Sequence, residues 1–394
     1  DSAELEEIKA DIIKLAHLII ENYKSLHIIF LDEHFLPIVS DFIKNSDNLR
    51  ILAYSIFSII HLYNSFENSN SSDFEECISI SILCSAYQKI ENVETKKLKS
   101  YANKFLRGSI ILTSKICALH SLDNDDSNAA IYLIHTILSK GELTDACEFA
   151  LKALSLLIEN SNIDFDQLNL SIIPQFIGKN VRKLSSKEIF PYQAFSCDVL
   201  VALFNKGYFE KHYFDVPVKH ILDNIESSKK NQKGSAFIRL LASMIKCDTE
   251  GEYIEQLYSE KNHFGILSIY DSLINGNFDT MEASAYCLIE LINKLDGELL
   301  AVSLDKCIID SLVKIINIGR DFEDCELILV ALNLIDKVFE FSASIHAFDK
   351  VSRIFQTCDG PELMLELDEY NDDICILSQK IHKLFDDNPS VFGS

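Results

Sequence analysis

Tryptophan is absent from the 394 residues, and glycine and proline are scarce, at 12 and 6. Together these two turn formers make about 5% of the chain, against roughly 12% in average usage. Strand-rich folds need many tight turns, and dinucleotide folds need glycine loops, so both are excluded. No apolar run approaches the roughly 20 residues of a membrane-spanning helix; ISISILCSAY from Ile78 is among the longest. No secretory leader is visible. The 11 cysteines include no Cys-x-x-Cys pair and no regular framework. Cys84, Cys197 and Cys287 lie within apolar runs, which reads as small buried hydrophobes in a reducing compartment. Basic charge is also short, with 36 Lys and Arg against 60 Asp and Glu, a net −24. Such a surface repels phosphate backbones and anionic membranes and attracts basic protein segments.

What is present favours helix. Hydrophobic residues reach 48%, enough for an extensive core. In MEASAYCLIELINKL, Ala285, Leu288, Ile292 and Leu295 share one helical stripe. An alanine opens a similar stretch at Ala53, Ala150, Ala194, Ala236, Ala285 and Ala331, and Ala102 fits by spacing. The steps run from 42 to 49 residues. One such helix cannot bury its apolar face alone, and stacking at this period is the signature of armadillo or HEAT solenoids. Start and stop signals support a second helix per unit. Pro37 sits early and Asn45-Ser46-Asp47 late in the stretch before Ala53, and Gly319 is placed as a helix C′ residue before Ala331. The expected fold is an all-α, right-handed solenoid of about eight repeats over 1–394, in one domain. Polar stretches from Asn64, His120 and Glu226 read as loops between stacked helices.

The last segment, RIFQTCDGPELMLELDEYNDDICILSQKIHKLF, resembles the final repeat of importin-α in the armadillo family. Gly360, Glu362, Leu367, Asn371, Ile381 and Phe385 match its glycine, Glu- and Leu-containing helix, Asn turn and last helix. VALNLIDKVFEF from Val330 is similar to the third helix of the preceding repeat. The resemblance implies a non-enzymatic adaptor of nuclear transport, cytoplasmic or nuclear, that meets import and export receptors. In that family Trp two residues after the packing alanine and Asn six after it hold basic peptides. The groove-equivalent positions here include Ser55, Lys152, Ser196, Asn333 and Lys337, so the usual cargo ladder is missing. Tyr54, Phe195, Phe237 and Tyr286, one residue after the alanines, are read as core. The chain opens on Asp1 rather than Met, and in the resembled family a basic, receptor-binding arm lies upstream.

No catalytic residue, cofactor site or metal site is expected. There is no Gly-x-Ser-x-Gly and no His-Glu-x-x-His. His212 and His220 flank Asp215, but Pro217 interrupts any shared helical face, so they read as scattered surface histidines. LDEH from Leu31 reads as a capped helix start. The acids near the N-terminus read as a solvated helix face. Those of the last quarter recur in consecutive repeats, where equivalent loops of a solenoid share one edge. Asp321, Glu323, Asp324, Glu326, Glu366, Asp368, Glu369, Asp372 and Asp373 are therefore the expected partner-binding residues, facing a protein with basic segments. The alternative is an armadillo or HEAT scaffold, or regulatory subunit, without a transport role.

Overall fold

The computed structural model describes residues 2–30, 35–65, 78–119, 121–140, 144–160, 192–207, 218–228, 233–258, 264–294, 306–367 and 370–386. Among these residues every regular element is helical, and no helix is long and apolar enough to cross a membrane. They fall in two compact units, 1–214 and 215–394.

In the first unit, α1 (Ser2–Asn22), α3 (Leu49–Ser65), α5 (Lys96–Leu119), α7 (Thr144–Asn160) and α8 (Tyr192–Asn205) pack one on the next. A second row, α2 (Phe35–Asn45), α4 (Ile80–Ile90) and α6 (Asn124–Lys140), lies against it. The second unit repeats the scheme. Its inner row is α10 (Lys233–Cys247), α13 (Phe278–Lys294), α15 (Cys325–Ser344) and α18 (Asp372–Asp386). The outer row is α9 (Val218–Ser228), α12 (Phe264–Asn275), α14 (Lys306–Asp321) and α16 (Phe348–Thr357). Short α11 (Glu252–Tyr258) and α17 (Gly360–Glu366) complete it. Each unit is thus an α-solenoid stack.

The packing alanines explain the stacking. Ala53, Ala150, Ala236, Ala285 and Ala331 are at most 2% exposed, so neighbouring helices approach closely through them. At Gly108 the approach is closer still: an added Cβ would stand 2.7 Å from Ile56 Cγ2. Ala194 departs from the expectation and is half-buried. In α8 the fully enclosed side chains include Gln193, Ser196 and Cys197, together with Val199, Leu200 and Ala202. That helix is apolar on most sides, so its alanine does not mark the packed face.

Helix ends are closed by short polar side chains. Asn48 accepts from Arg50 N–H at 3.0 Å ahead of α3, and Asp123 from Asp126 N–H at 2.8 Å ahead of α6. The polar stretch from His120, read as a loop, is therefore largely the cap and first turn of α6. Side chains also tie three of the helices to carbonyls at the C-terminal end of the one before. Asn160 donates to Cys117 O at 3.1 Å, Lys294 to Asp248 O at 3.2 Å, and Lys337 to Asn293 O at 3.2 Å. Those carbonyls have no partner within their own helix.

Candidate functional site

The α14–α15 turn is shaped by three residues. Glu323 takes the left-handed conformation, φ 57°. Its N–H donates to Arg320 O at 3.3 Å, and Asp324 N–H to Gly319 O at 2.8 Å, the paired bonds of a Schellman helix end. Asp324 then caps α15 by accepting from Leu327 N–H at 3.0 Å. Gly319, expected at C′, instead lies inside the last turn of α14. Its lack of a side chain admits Ile328, whose Cγ1 would be 2.7 Å from a Cβ there. Gly360 behaves alike: it opens α17 beneath the Phe355 ring, while Asp359 before it carries the left-handed φ of 58°.

This turn presents Phe322 to solvent at 51% exposure. Phe278, at the start of α13 and 42% exposed, packs on it with ring centroids 4.0 Å apart and the rings tilted by 45°. Glu282 and Tyr286 follow Phe278 at four-residue steps and share its face of α13. Tyr286, expected in the core, is 41% exposed. One residue after the buried Ala285, it is turned about 100° from the packed stripe. Its hydroxyl lies 3.5 Å from Asp324 Oδ2. Burial, then the carboxylates of Asp324, Glu282 and Glu326, push that hydroxyl above its ordinary pKa. The result is an exposed aromatic pair and a tyrosine bordered by carboxylates. The turn's own cation, Arg320, is engaged elsewhere, 2.6 Å from Glu366 in the following repeat.

The expected partner-binding acids divide accordingly. Asp321, Glu323 and Glu326 are exposed beside the aromatics, and Asp324 is half-buried as a cap. Glu366 is exposed but paired with Arg320. Asp372 and Asp373 are exposed in the first turn of α18, where the helix dipole favours them. Asp368 and Glu369 lie outside the described residues. Of the groove-equivalent positions, Ser55 and Ser196 are fully buried, which removes them from any groove. Lys152 and Asn333 are exposed, and Asn333 donates to Leu329 O in its own helix at 2.9 Å. Lys337 is tied to the end of α13. Of the other shifted aromatics, Phe237 is buried as expected, whereas Tyr54 and Phe195 are only half-buried. His220 is half-buried; His212, Asp215 and the LDEH stretch lie outside the described residues. The N-terminal acids do line solvent, but α1 also exposes Leu5, Ile8, Ile12 and Leu15. That apolar stripe on α1 is invisible to a count of charges.

The chain is similar to a chain from a solved structure concerning the phosphorylation switch that controls the interaction between cadherin and beta-catenin. The match has a TM-score of 0.50 and 13% identity, over 94% of this chain and 82% of that one. No family model matches. No curated protein matches. The likeness shows an armadillo-like helical fold.

Proposed function

We propose that this chain is a non-enzymatic protein-binding scaffold, and that a partner's Lys or Arg side chains dock on Phe278, Tyr286 and Phe322. The observation that carries this reading is the exposed, mutually packed Phe278–Phe322 pair within a border of carboxylates. A folded stack gains nothing from holding two phenyl rings in water. A Lys or Arg stem covers such rings, and its charge is met by Glu282, Asp324 and Glu326. Asp372 and Asp373, exposed in the first turn of α18, extend the same attraction along the following repeat.

The experiment is peptide selection from a random library, followed by affinity measurement on wild type and on Phe278→Ser/Phe322→Ser. The selected peptides should be rich in Lys and Arg and bind the variant about tenfold or more weaker, the scale of a lost hot spot. Peptides with no basic bias, or equal binding by the variant, would reject the reading.

A finer reading is an importin-α-like adaptor in cytoplasm and nucleus, meeting import or export receptors. It is supported by the likeness of the segment from Arg353 to Phe385 and by the acids nearby. With no Trp–Asn ladder, a simple nuclear-localisation peptide should bind weakly and fade with salt. Micromolar affinity surviving about 0.5 M salt and lost on changing Lys152 and Asn333 would favour that adaptor over the aromatic patch.

A further inference from the structure

We infer that His17, Glu21 and His61 bind a divalent transition-metal ion between α1 and α3. His17 and Glu21 are one helical turn apart and share a face of α1. His61 reaches them from α3, which packs on α1. One ligand atom from each residue lies within 4.8 Å of the other two. Ligands of a tetrahedral zinc site at bonds of 2.0–2.1 Å stand about 3.3 Å apart. Binding therefore requires a rotamer change of the exposed Glu21 side chain together with small ring shifts.

The ring of His17 is under-satisfied at both nitrogens. Its Nδ1 is buried and has no hydrogen-bond partner among the described residues. Its Nε2 faces Glu21 Oε2 at 3.8 Å, too far for a hydrogen bond. A histidine kept only for packing would have its ring nitrogens satisfied, as His27 nearby does through Ile20 O at 2.6 Å. The rings of His17 and His61 lie 5.5 Å apart, centroid to centroid, with Tyr54 and Phe57 walling His17 at 5.6 and 6.3 Å. Burial is the largest influence lowering the pKa of both histidines, which favours the neutral imidazoles that a metal takes as ligands. Lys104 opposes a cation here, and Glu21 favours one.

Two imidazoles and one carboxylate with a fourth position left to water suit Zn²⁺, with Co²⁺, Ni²⁺ and Cu²⁺ as competitors. The ion would fasten α1 to α3. It would supplement Arg50 on α3, which already holds Glu7 at 2.5 Å and Asp11 at 2.8 Å further along α1.

The test uses the full chain, freed of metal by chelator and dialysis, with Zn²⁺ followed by calorimetry and Co²⁺ by visible absorption. One ion per chain should bind with the weak-field spectrum of nitrogen and oxygen ligands. Because outer-shell partners alone are worth about 10–100-fold in metal affinity, losing a ligand in His61→Gln or Glu21→Gln should cost at least about tenfold. Glu21 is exposed, so its variant remains informative where a histidine variant fails to fold. Affinity unchanged in Glu21→Gln and His61→Gln, a thiolate charge-transfer band pointing to cysteine, or no binding by the wild-type chain would each overturn the inference.

Discussion

Glu323 occupies a backbone position that glycine usually holds. A non-glycine residue in the left-handed region carries strain of roughly 1–2 kcal/mol. Glu323→Gly is therefore expected to raise stability by up to about 1 kcal/mol, net of glycine's greater unfolded-state entropy. Urea unfolding checks it; a lowered midpoint would contradict the turn described here. Ala285→Leu should act in the opposite sense. It overpacks a fully buried contact and should cost about 1–3 kcal/mol in the same assay. Ala285 was legible because small residues recur where helices touch. Gly319 was misread because glycine serves two ends, left-handed backbone and close approach, and the sequence does not separate them. The thiols provide a further check at this scale. Cys287 is enclosed and its pKa is raised by burial, and burial pushes Cys117 up to about 12, whereas Cys325 is exposed. In native protein, alkylation followed by peptide mapping should modify Cys325 rapidly and leave Cys117 and Cys287 until unfolding.

At the scale of elements, the caps matter most. Asp248 is 8% exposed and accepts from Glu252, Tyr253 and Ile254 N–H at 3.1, 2.8 and 3.2 Å, closing the start of α11. Asp248→Ala leaves those donors buried and should cost about 1–3 kcal/mol. Lys294→Met removes only a bond to Asp248 O and should cost under about 1 kcal/mol. Thermal melts of the two variants compare them directly; equal losses would mean that the cap is not what holds this junction. Helix existence was readable from the apolar stripes. Partners of the polar residues were not, because an Asp may cap a helix, line an edge or meet a neighbouring repeat with the same local pattern. Asp324 does the first, although its sequence context suggested the second. His17 and Glu21 could have been noticed from their four-residue spacing, but His61 becomes their neighbour only through the packing of α3 on α1.

On the scale of the whole molecule, the repeat period reported the stacking because, within each unit, successive helices of a row contact one another. The side-chain bonds between neighbouring repeats span 38 to 53 residues, bracketing the spacing of the alanines. The aromatic patch escaped the same reading because it depends on exposure, and on Phe278 meeting Phe322 across an intervening helix. Net charge indicates the kind of partner but not its place. If the patch is that place, reversing Asp321, Glu323 and Glu326 to Lys should slow association of a selected basic peptide by roughly tenfold or more at low salt. Melting should scarcely move, since exposed charges contribute little to stability. Stopped-flow mixing at two salt concentrations checks both the rate and its screening. The most direct test of the central claim is hydrogen exchange of the full chain with and without a saturating selected peptide. The account predicts slowed exchange concentrated in the first half of α13, from Phe278 to Tyr286, and across residues 321–327. Protection absent there and present instead around Lys152 and Asn333 would contradict it.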